Sequence, residues 1–413
     1  MSISTRPFTA NGITYDPPAK PIVVICMDGS ADEYLDITMA QDRMPNLKRM
    51  TRTGHRSMVR GALPSFTNVN NTSIVTGKPP VVHGICGNYF YDSTQDKEVM
   101  MNSAEYLRAE TLLAAASKAG RKVAVVTAKE KLRDILSHGM QGGIAISAEK
   151  ANQAKPETHG IESVEAIVGH PTPAIYSADA SLFVLRAGVA FLEQGLADFL
   201  YLSLTDYMQH TYAPEAEPSL AFYEAQDKEI GKLVELGAIV GATADHGMNA
   251  KVDKDGKPNV IYVEDILEKQ FGDHFRVICP ITDPYVKHHG ALGSYVVVHV
   301  DDPAIVPAVK SWLAAQPGIT EVYERDQAVI LLEQPADRIG ELVVISGRDV
   351  VVGRRPAYHD LSALDGTLRS HGGRYEEMVP MLISHPLNSA YKMKASRDPR
   401  NFDIFDFTIN GTH

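Results

Sequence analysis

The apolar residues of this chain fall into two patterns. Short continuous runs occur at IVVICM (22–27), VAVVTA (123–128), FLYLSL (199–204) and AIVGATA (238–244). Runs of this length, rich in β-branched residues and with no polar face, predict strands covered on both sides, as in a parallel sheet. Between them lie stretches with helical spacing. RMPNLKRMTRTG carries Pro45 early, and TLLAAASKAG closes on Gly120, a residue that suits a helix C-cap. Strands alternating with helices predict an α/β fold: a three-layer α/β/α sandwich around a mainly parallel sheet.

After Ala250 the pattern changes. KVDKDGKPNV is a polar, turn-rich connector. SYVVVHV, ITEVYER, QAVILLE and ELVVISGRDVVVG then read as strands, with PAVKSWLAAQPG as a helix among them. This predicts a smaller α+β cap over residues 252–365. The core would comprise 21–251 and 366–413, with MVPMLISH as a late strand of the main sheet, and the polar residues 1–20 would form an N-terminal arm. TNVNNTSIVTG (67–77) can start a helix directly after ALPSF.

Composition narrows the picture. With 413 residues, 44% hydrophobic and 22% charged, the chain has the make-up of a globular protein able to bury a large core. Its net charge of -11 argues against a nucleic-acid-binding surface. An anionic ligand must therefore be drawn by local cations rather than by the global field. The three cysteines, Cys26, Cys86 and Cys279, have no thiolate metal spacing and are expected to be free thiols. MSISTRPFTANG has no apolar signal core and no run is long enough to span a bilayer, so a cytoplasmic protein without membrane contact is expected. Repeats, low-complexity tracts and a Gly-rich phosphate loop are absent.

The candidate chemistry sits where the apolar runs end. Asp28 ends IVVICMD. Asp206 ends FLYLSLTD, with His210 one helical turn later. Asp245 and His246 end AIVGATADH, and His371 lies far downstream in LRSHGGRYEEMVP. Ligands at the C-terminal edge of strands are where open α/β sheets place their sites. Singly, each such Asp reads equally as a turn former or helix N-cap. Together these six residues form a mixed Asp/His set suited to two cations such as Zn²⁺. Thr67 stands at a helix start, beside backbone N–H groups that can bind a phosphate oxygen. It, or Ser65, can be an N-cap; beside a cation, Thr67 is a candidate nucleophile. Lys129 and Lys131 directly follow the VAVVTA strand at the same edge. They read either as a solvated first helical turn or as cations for an anionic substrate. Asn88 in GICGNYF is a turn residue or an amide donor to a substrate oxygen. His288 and His289 decorate a loop or reach the site from the cap.

The order Asp28, Thr67, Asp206-x-x-x-His210, Asp245-His246, His371 resembles that of the alkaline phosphatase superfamily. The flanks TGKPPVVHGICGNYFYD and TADHGM resemble its nucleotide pyrophosphatase/phosphodiesterase branch. PSFTNVNN, VTAKEKLRD and LRSHGGRYEEMVPM resemble most the phosphonoacetate hydrolases within that branch. The resemblance runs from about Pro21 to about Ser384 and implies an alkaline phosphatase-like core. It implies two Zn²⁺ per chain, one held by Asp206, His210 and His371, the other by Asp28, Asp245, His246 and the Thr67 oxygen. It implies a Thr67 nucleophile that cleaves the C–P bond of phosphonoacetate to acetate and phosphate, with substrate contacts at Asn88, Lys129, Lys131, His288 and His289. The expected partner is a small-molecule phosphonate; a homodimer is left open. The rival readings are a phosphodiesterase or nucleotide pyrophosphatase with the same metals, a non-catalytic phosphonate-binding protein, and a structural zinc protein. The last would need a closed, Cys-rich site, which this chain does not offer.

Overall fold

The structure is a computed structural model that describes residues 3–283, 289–362, 364 and 366–413. Its centre is a seven-stranded sheet. Side by side the strands run His55–Arg60, Met378–Ile383, Ile239–Thr243, Ile22–Cys26, Phe199–Ser203, Val123–Thr127 and Ile144–Ser147. The last five are mutually parallel, and Met378–Ile383 is antiparallel to both neighbours.

The strand residues explain the layers. Ile22, Val24 and Cys26 point into one apolar core; Val23, Ile25 and Met27 point into another. Successive side chains of a strand face opposite sides, so both faces of the sheet are buried. Helices cover each face: Asp32–Ala40, Pro45–Thr53, Ala178–Glu193 and Glu217–Glu235 on one, and Thr67–Thr76, Leu112–Lys118 and Ile404–Ile409 on the other. This is the expected α/β/α arrangement.

Register sets the site. Cys26 pairs with Thr243 on one side and with Ser203 on the other, and Ser203 pairs with Thr127. Four parallel strands therefore end at one level. The residues that follow them, Asp28, Asp206, Asp245, His246 and Lys129, emerge along a single edge. Residues 8–15 of the expected arm form a hairpin, Phe8–Ala10 with Ile13–Tyr15, and Phe8 stacks edge-on against Phe199 of the central sheet.

A second, four-stranded antiparallel sheet is built from Phe275–Ile278, Tyr295–Val300, Leu342–Ser346 and Ile319–Glu324, in that spatial order. One expectation fails here. QAVILLE is no strand; Arg325–Leu331 is a helix. Glu324 and Gln327 close a reciprocal capping box at its start, and the five-residue apolar run AVILL cannot by itself tell helix from strand. ELVVISGRDVVVG also divides. Leu342–Ser346 joins the four-stranded sheet, whereas Val351–Gly353 leaves it and pairs in parallel with Val260–Tyr262. No helix among the described residues is long and apolar enough to cross a membrane.

Candidate metal centre

The strand ends and His371 converge on two adjacent buried trios: Asp206, His210 and His371, and Asp28, Asp245 and His246. Within each trio, one ligand atom per residue lies within 4.8 Å of the others. The trios touch. Asp206 Oδ2 is 2.9 Å from His210 Nε2, 3.7 Å from His371 Nε2 and 3.9 Å from His246 Nε2, and the His246 and His371 rings stack with centroids 3.4 Å apart. Gly29 permits part of this closeness. Its φ is +69°, and a Cβ there would meet the Asp206 Cβ at 2.8 Å.

The histidines are oriented as ligands. Nδ1 of His210 donates to Arg369 O (2.7 Å), that of His371 to Ser65 O (2.7 Å) and that of His246 to Gly247 O (2.9 Å). A carbonyl can only accept, so each Nδ1 carries a proton and each Nε2 is the atom left to face a cation. Asn71 does the same for a carboxylate. Its Nδ2 donates to Asp245 Oδ2 (3.2 Å), while its Oδ1 accepts from Tyr201 Oη and Ser203 Oγ, both at 2.8 Å.

The donor set fits metal ions. Both Asp28 oxygens and His246 Nε2 are buried without a well-formed hydrogen bond, although His246 Nε2 lies 3.2 Å from Asp28 Oδ1. Unpaired buried polar atoms are costly, and a cation among them removes the cost. The protonation pattern of the metal-free trios agrees. Burial, with Asp206 and Asp245 nearby, pushes the Asp28 carboxyl up to about 8. Burial would lower His246, but Asp245, Asp28 and Asp206 raise it to about 10. Burial with His246 and His210 alongside holds His371 well below its ordinary value. Burial acts to raise Asp206, yet Lys129, His210 and His246 outweigh it and hold Asp206 low. Around neutral pH the Asp28–His246 pair therefore retains a proton, which a metal must displace. Metal binding at pH 7 is expected to release at least one proton, and affinity is expected to rise with pH. Calorimetric titration in buffers of different ionisation enthalpy measures this; zero proton release would contradict it.

Thr67 is the first residue of the Thr67–Thr76 helix and is 4% exposed. Neither hydroxyl caps that helix. Its cap is Phe66, and Ser65 Oγ donates to Gly373 O. One N-terminal amide, Asn68 N, is already engaged, donating to the Asn88 side-chain oxygen at 3.1 Å. Asn88 thus anchors the helix start, and its Nδ2 lies 3.4 Å from Ile281 O. Thr67, Asn88, Lys129, Lys131, Asp206, His210, His289 and His371 line one small cavity, together with Ile281 and Asp283. Lys129 Nζ is 3.4 Å from Asp206 Oδ1, and Lys131 Nζ is 2.5 Å from Asp283 Oδ2. The lysines are largely buried, not a solvated helical turn. The His289 ring lies 5.2 Å from that of His210. His288 lies outside the described residues.

Two contributors were not singled out from sequence. Asn71 sits in a run of polar helix residues and has no distinguishing local signal. Asp283 meets Lys131 across 152 positions of chain, a pairing that only the fold creates.

Known proteins bear on the geometry. The type I phosphodiesterase / nucleotide pyrophosphatase family matches residues 22–374. Among curated relatives, ectonucleotide pyrophosphatase/phosphodiesterase family member 3 of Bos taurus is 35% identical over 86 residues, which is 21% of this chain and 10% of that protein. Alkaline phosphatase PafA of Elizabethkingia meningoseptica is 33% identical over 91 residues, 22% of this chain and 17% of that one. The matched stretches thus span less than a fifth of these curated relatives. Solved structures match over the whole chain. Phosphonoacetate hydrolase from Sinorhizobium meliloti 1021, in complex with phosphonoacetate, is 42% identical with a TM-score of 0.93 over 99% of this chain and 100% of that one. Murine ectonucleotide pyrophosphatase / phosphodiesterase 5, 16% identical, matches with a TM-score of 0.65 over 95% of this chain and 96% of its own, a likeness of fold alone. The chain is a hydrolase that belongs to the type I phosphodiesterase / nucleotide pyrophosphatase family of the alkaline phosphatase superfamily.

Proposed function

We propose that this hydrolase cleaves the C–P bond of phosphonoacetate to acetate and phosphate, with two Zn²⁺ held by the two trios and Thr67 as nucleophile. The observation that carries the reading is the pair of buried lysines on the wall of the cavity that also holds Thr67. A phosphonate with an adjacent carboxylate is a compact polyanion, and it needs cations at both ends. The 42% identical Sinorhizobium enzyme, solved with phosphonoacetate and with phosphonoformate, supports the same substrate class.

Bound cations would neutralise the phosphonyl oxygens and lower the hydroxyl pKa of Thr67. Asp206, His210 and His371 would hold one, and Asp28, Asp245, His246 and the Thr67 oxygen the other. The chain's own groups do the rest. Thr67 gives up its hydroxyl proton to solvent, and its Oγ1 attacks phosphorus, forming an O–P bond as the C–P bond breaks. The electron pair passes to the methylene carbon and delocalises into the neighbouring carboxylate as an enediolate. Lys129 and Lys131 bind that carboxylate in the substrate and hold it more tightly as its charge rises, Lys129 acting most at the transition state and Lys131 chiefly in binding. The carbon takes a proton from solvent and leaves as acetate. Water then hydrolyses the phosphorylated Thr67 and frees phosphate. Asn88 Nδ2 would be the amide donor to a phosphonyl oxygen, and His289 would close the wall beside His210. We assign the four-stranded sheet and its surroundings, about residues 252–365, to a cap that brings Asp283 and His289 to the site.

A diesterase reading draws on Ile175 and Tyr176, which line an adjoining cavity of about 360 Å³. Lys129→Ala separates the two. It is expected to cut kcat/KM for phosphonoacetate by on the order of a hundredfold, since a desolvated charge pair is lost, and to change turnover of a nitrophenyl phosphodiester by far less. Equal losses on both would leave the lysine a structural role only.

A further inference from the structure

Lys129 and Lys131 sit on a shared wall. On one side lies the small cavity with Thr67 and the His210–His371 trio. On the other lies the cavity of about 360 Å³, whose lining includes Asn102, Lys150 and Tyr176. Asp283 is the third residue common to both cavities. The two lysines are held by different carboxylates. Lys129 faces Asp206, which belongs to a ligand trio. Lys131 faces Asp283, which belongs to none and is 4% exposed.

Two ammonium groups buried side by side repel one another, and each resists leaving water. Burial, aided by Lys129, pulls the Lys131 pKa below its ordinary value, and Asp283 acts against that fall. A lysine on a four-carbon stem would otherwise turn toward the larger cavity and solvent, where its charge is cheap to keep. A buried carboxylate at 2.5 Å gives the ammonium one position and one charge state.

We propose that Asp283 is a positioning residue that acts through Lys131, holding its ammonium on the shared wall so that the lysine pair receives the substrate's carboxylate and selects carboxylated phosphonates. The proposal rests on the function proposed above. It adds a residue that touches the lysine and leaves the reacting atoms alone.

The test is the isosteric Asp283→Asn in the metal-loaded full chain, beside Asp283→Glu, Lys131→Ala and the Asp283→Asn/Lys131→Ala double variant. For phosphonoacetate, Asp283→Asn is expected to raise KM on the order of tenfold, the loss expected when a buried charge is left unpaired. Its kcat should stay within about threefold, because Lys131 acts on binding before it acts on chemistry. A nitrophenyl phosphodiester, which has no carboxylate, should be turned over as before. Asp283→Glu should recover part of the loss, and Asp283→Asn should add nothing once Lys131 is gone. An equal loss on the diester would overturn the proposal, as would a lowered KM or additive effects in the double variant. Failure of the function itself shows separately, as absent wild-type turnover of phosphonoacetate. Asp283 is then read from phosphonoformate inhibition of the diester reaction, where the inhibition constant should rise by the same factor; an unchanged constant overturns the proposal.

Discussion

Replacing Thr67 by alanine is expected to abolish turnover while leaving the fold intact and the metal content near normal, since Asp28, Asp245 and His246 remain to hold the cation that the Thr67 oxygen would share. Thr67 begins a helix whose cap is the extended Phe66, so its hydroxyl carries no capping duty and its removal costs the helix little. The helix start is fixed by other bonds: Asn68 N to the Asn88 side chain, and Asn70 reaching back to Ala62. The two trios are likewise oriented by Arg369 O, Ser65 O, Gly247 O and Asn71, not by Thr67's side chain. The loss should therefore fall on chemistry alone. Deleting a nucleophile that works with its electrostatic surroundings costs on the order of a thousandfold or more in kcat. Steady-state kinetics, metal analysis and a thermal melt on the same preparation check this. Turnover within tenfold of wild type would make water the direct attacker. Unchanged ligand binding with no turnover in either form would point to a phosphonate-binding protein.

Stripping the metals is expected to remove both activity and part of the stability, and Zn²⁺ is expected to restore both. The physical reason lies in the ligand chemistry. Asp28, Asp206 and Asp245 bring three buried carboxyls together with three histidines whose Nε2 atoms face inward. Without cations that cluster relies on shared protons, the raised Asp28 and His246 among them, and it leaves buried polar atoms unpaired. Cations bind the folded state and have no preformed site in the unfolded chain. At free metal a thousandfold above the dissociation constant, each contributes about 4 kcal/mol. Exhaustive chelation should then lower Tm by several degrees and take turnover below detection. Full activity after chelation would contradict the two-metal account. Stability that does not change on chelation would mean that the trios are held apart from the folding core.

The parts of this molecule that could be read from sequence are those in which local pattern and global position coincide. Asp28, Asp206 and the Asp245–His246 pair each end a strand buried on both faces, and a parallel sheet in register must bring such ends together. Helix periodicity placed His210 over Asp206. His371 was located by family resemblance, since it comes back to the site on a segment whose register is set by pairing with Asn249–Ala250. The helix at Arg325–Leu331 was misread because Ala, Val, Ile and Leu suit either state over so short a run, and its deciding signal was the Glu324–Gln327 box at its start. Asn71 and Asp283 were invisible for a different reason. Each matters through partners more than 100 residues away, Asp245 for one and Lys131 for the other, and no local rule reports such a contact.

The measurement that bears most directly on the central claim is the release of acetate and phosphate from phosphonoacetate by the zinc-loaded protein, beside a nitrophenyl phosphodiester and a plain alkylphosphonate. Phosphonoacetate is expected to give the two products in equal amounts, and the alkylphosphonate, which has no carboxylate to accept the electron pair of the breaking C–P bond, is expected to be left untouched. Preference for the diester, with phosphonoacetate untouched, would contradict that claim. The metals and Thr67 would then serve a phosphodiesterase, and Lys129 and Lys131 would lose their proposed role.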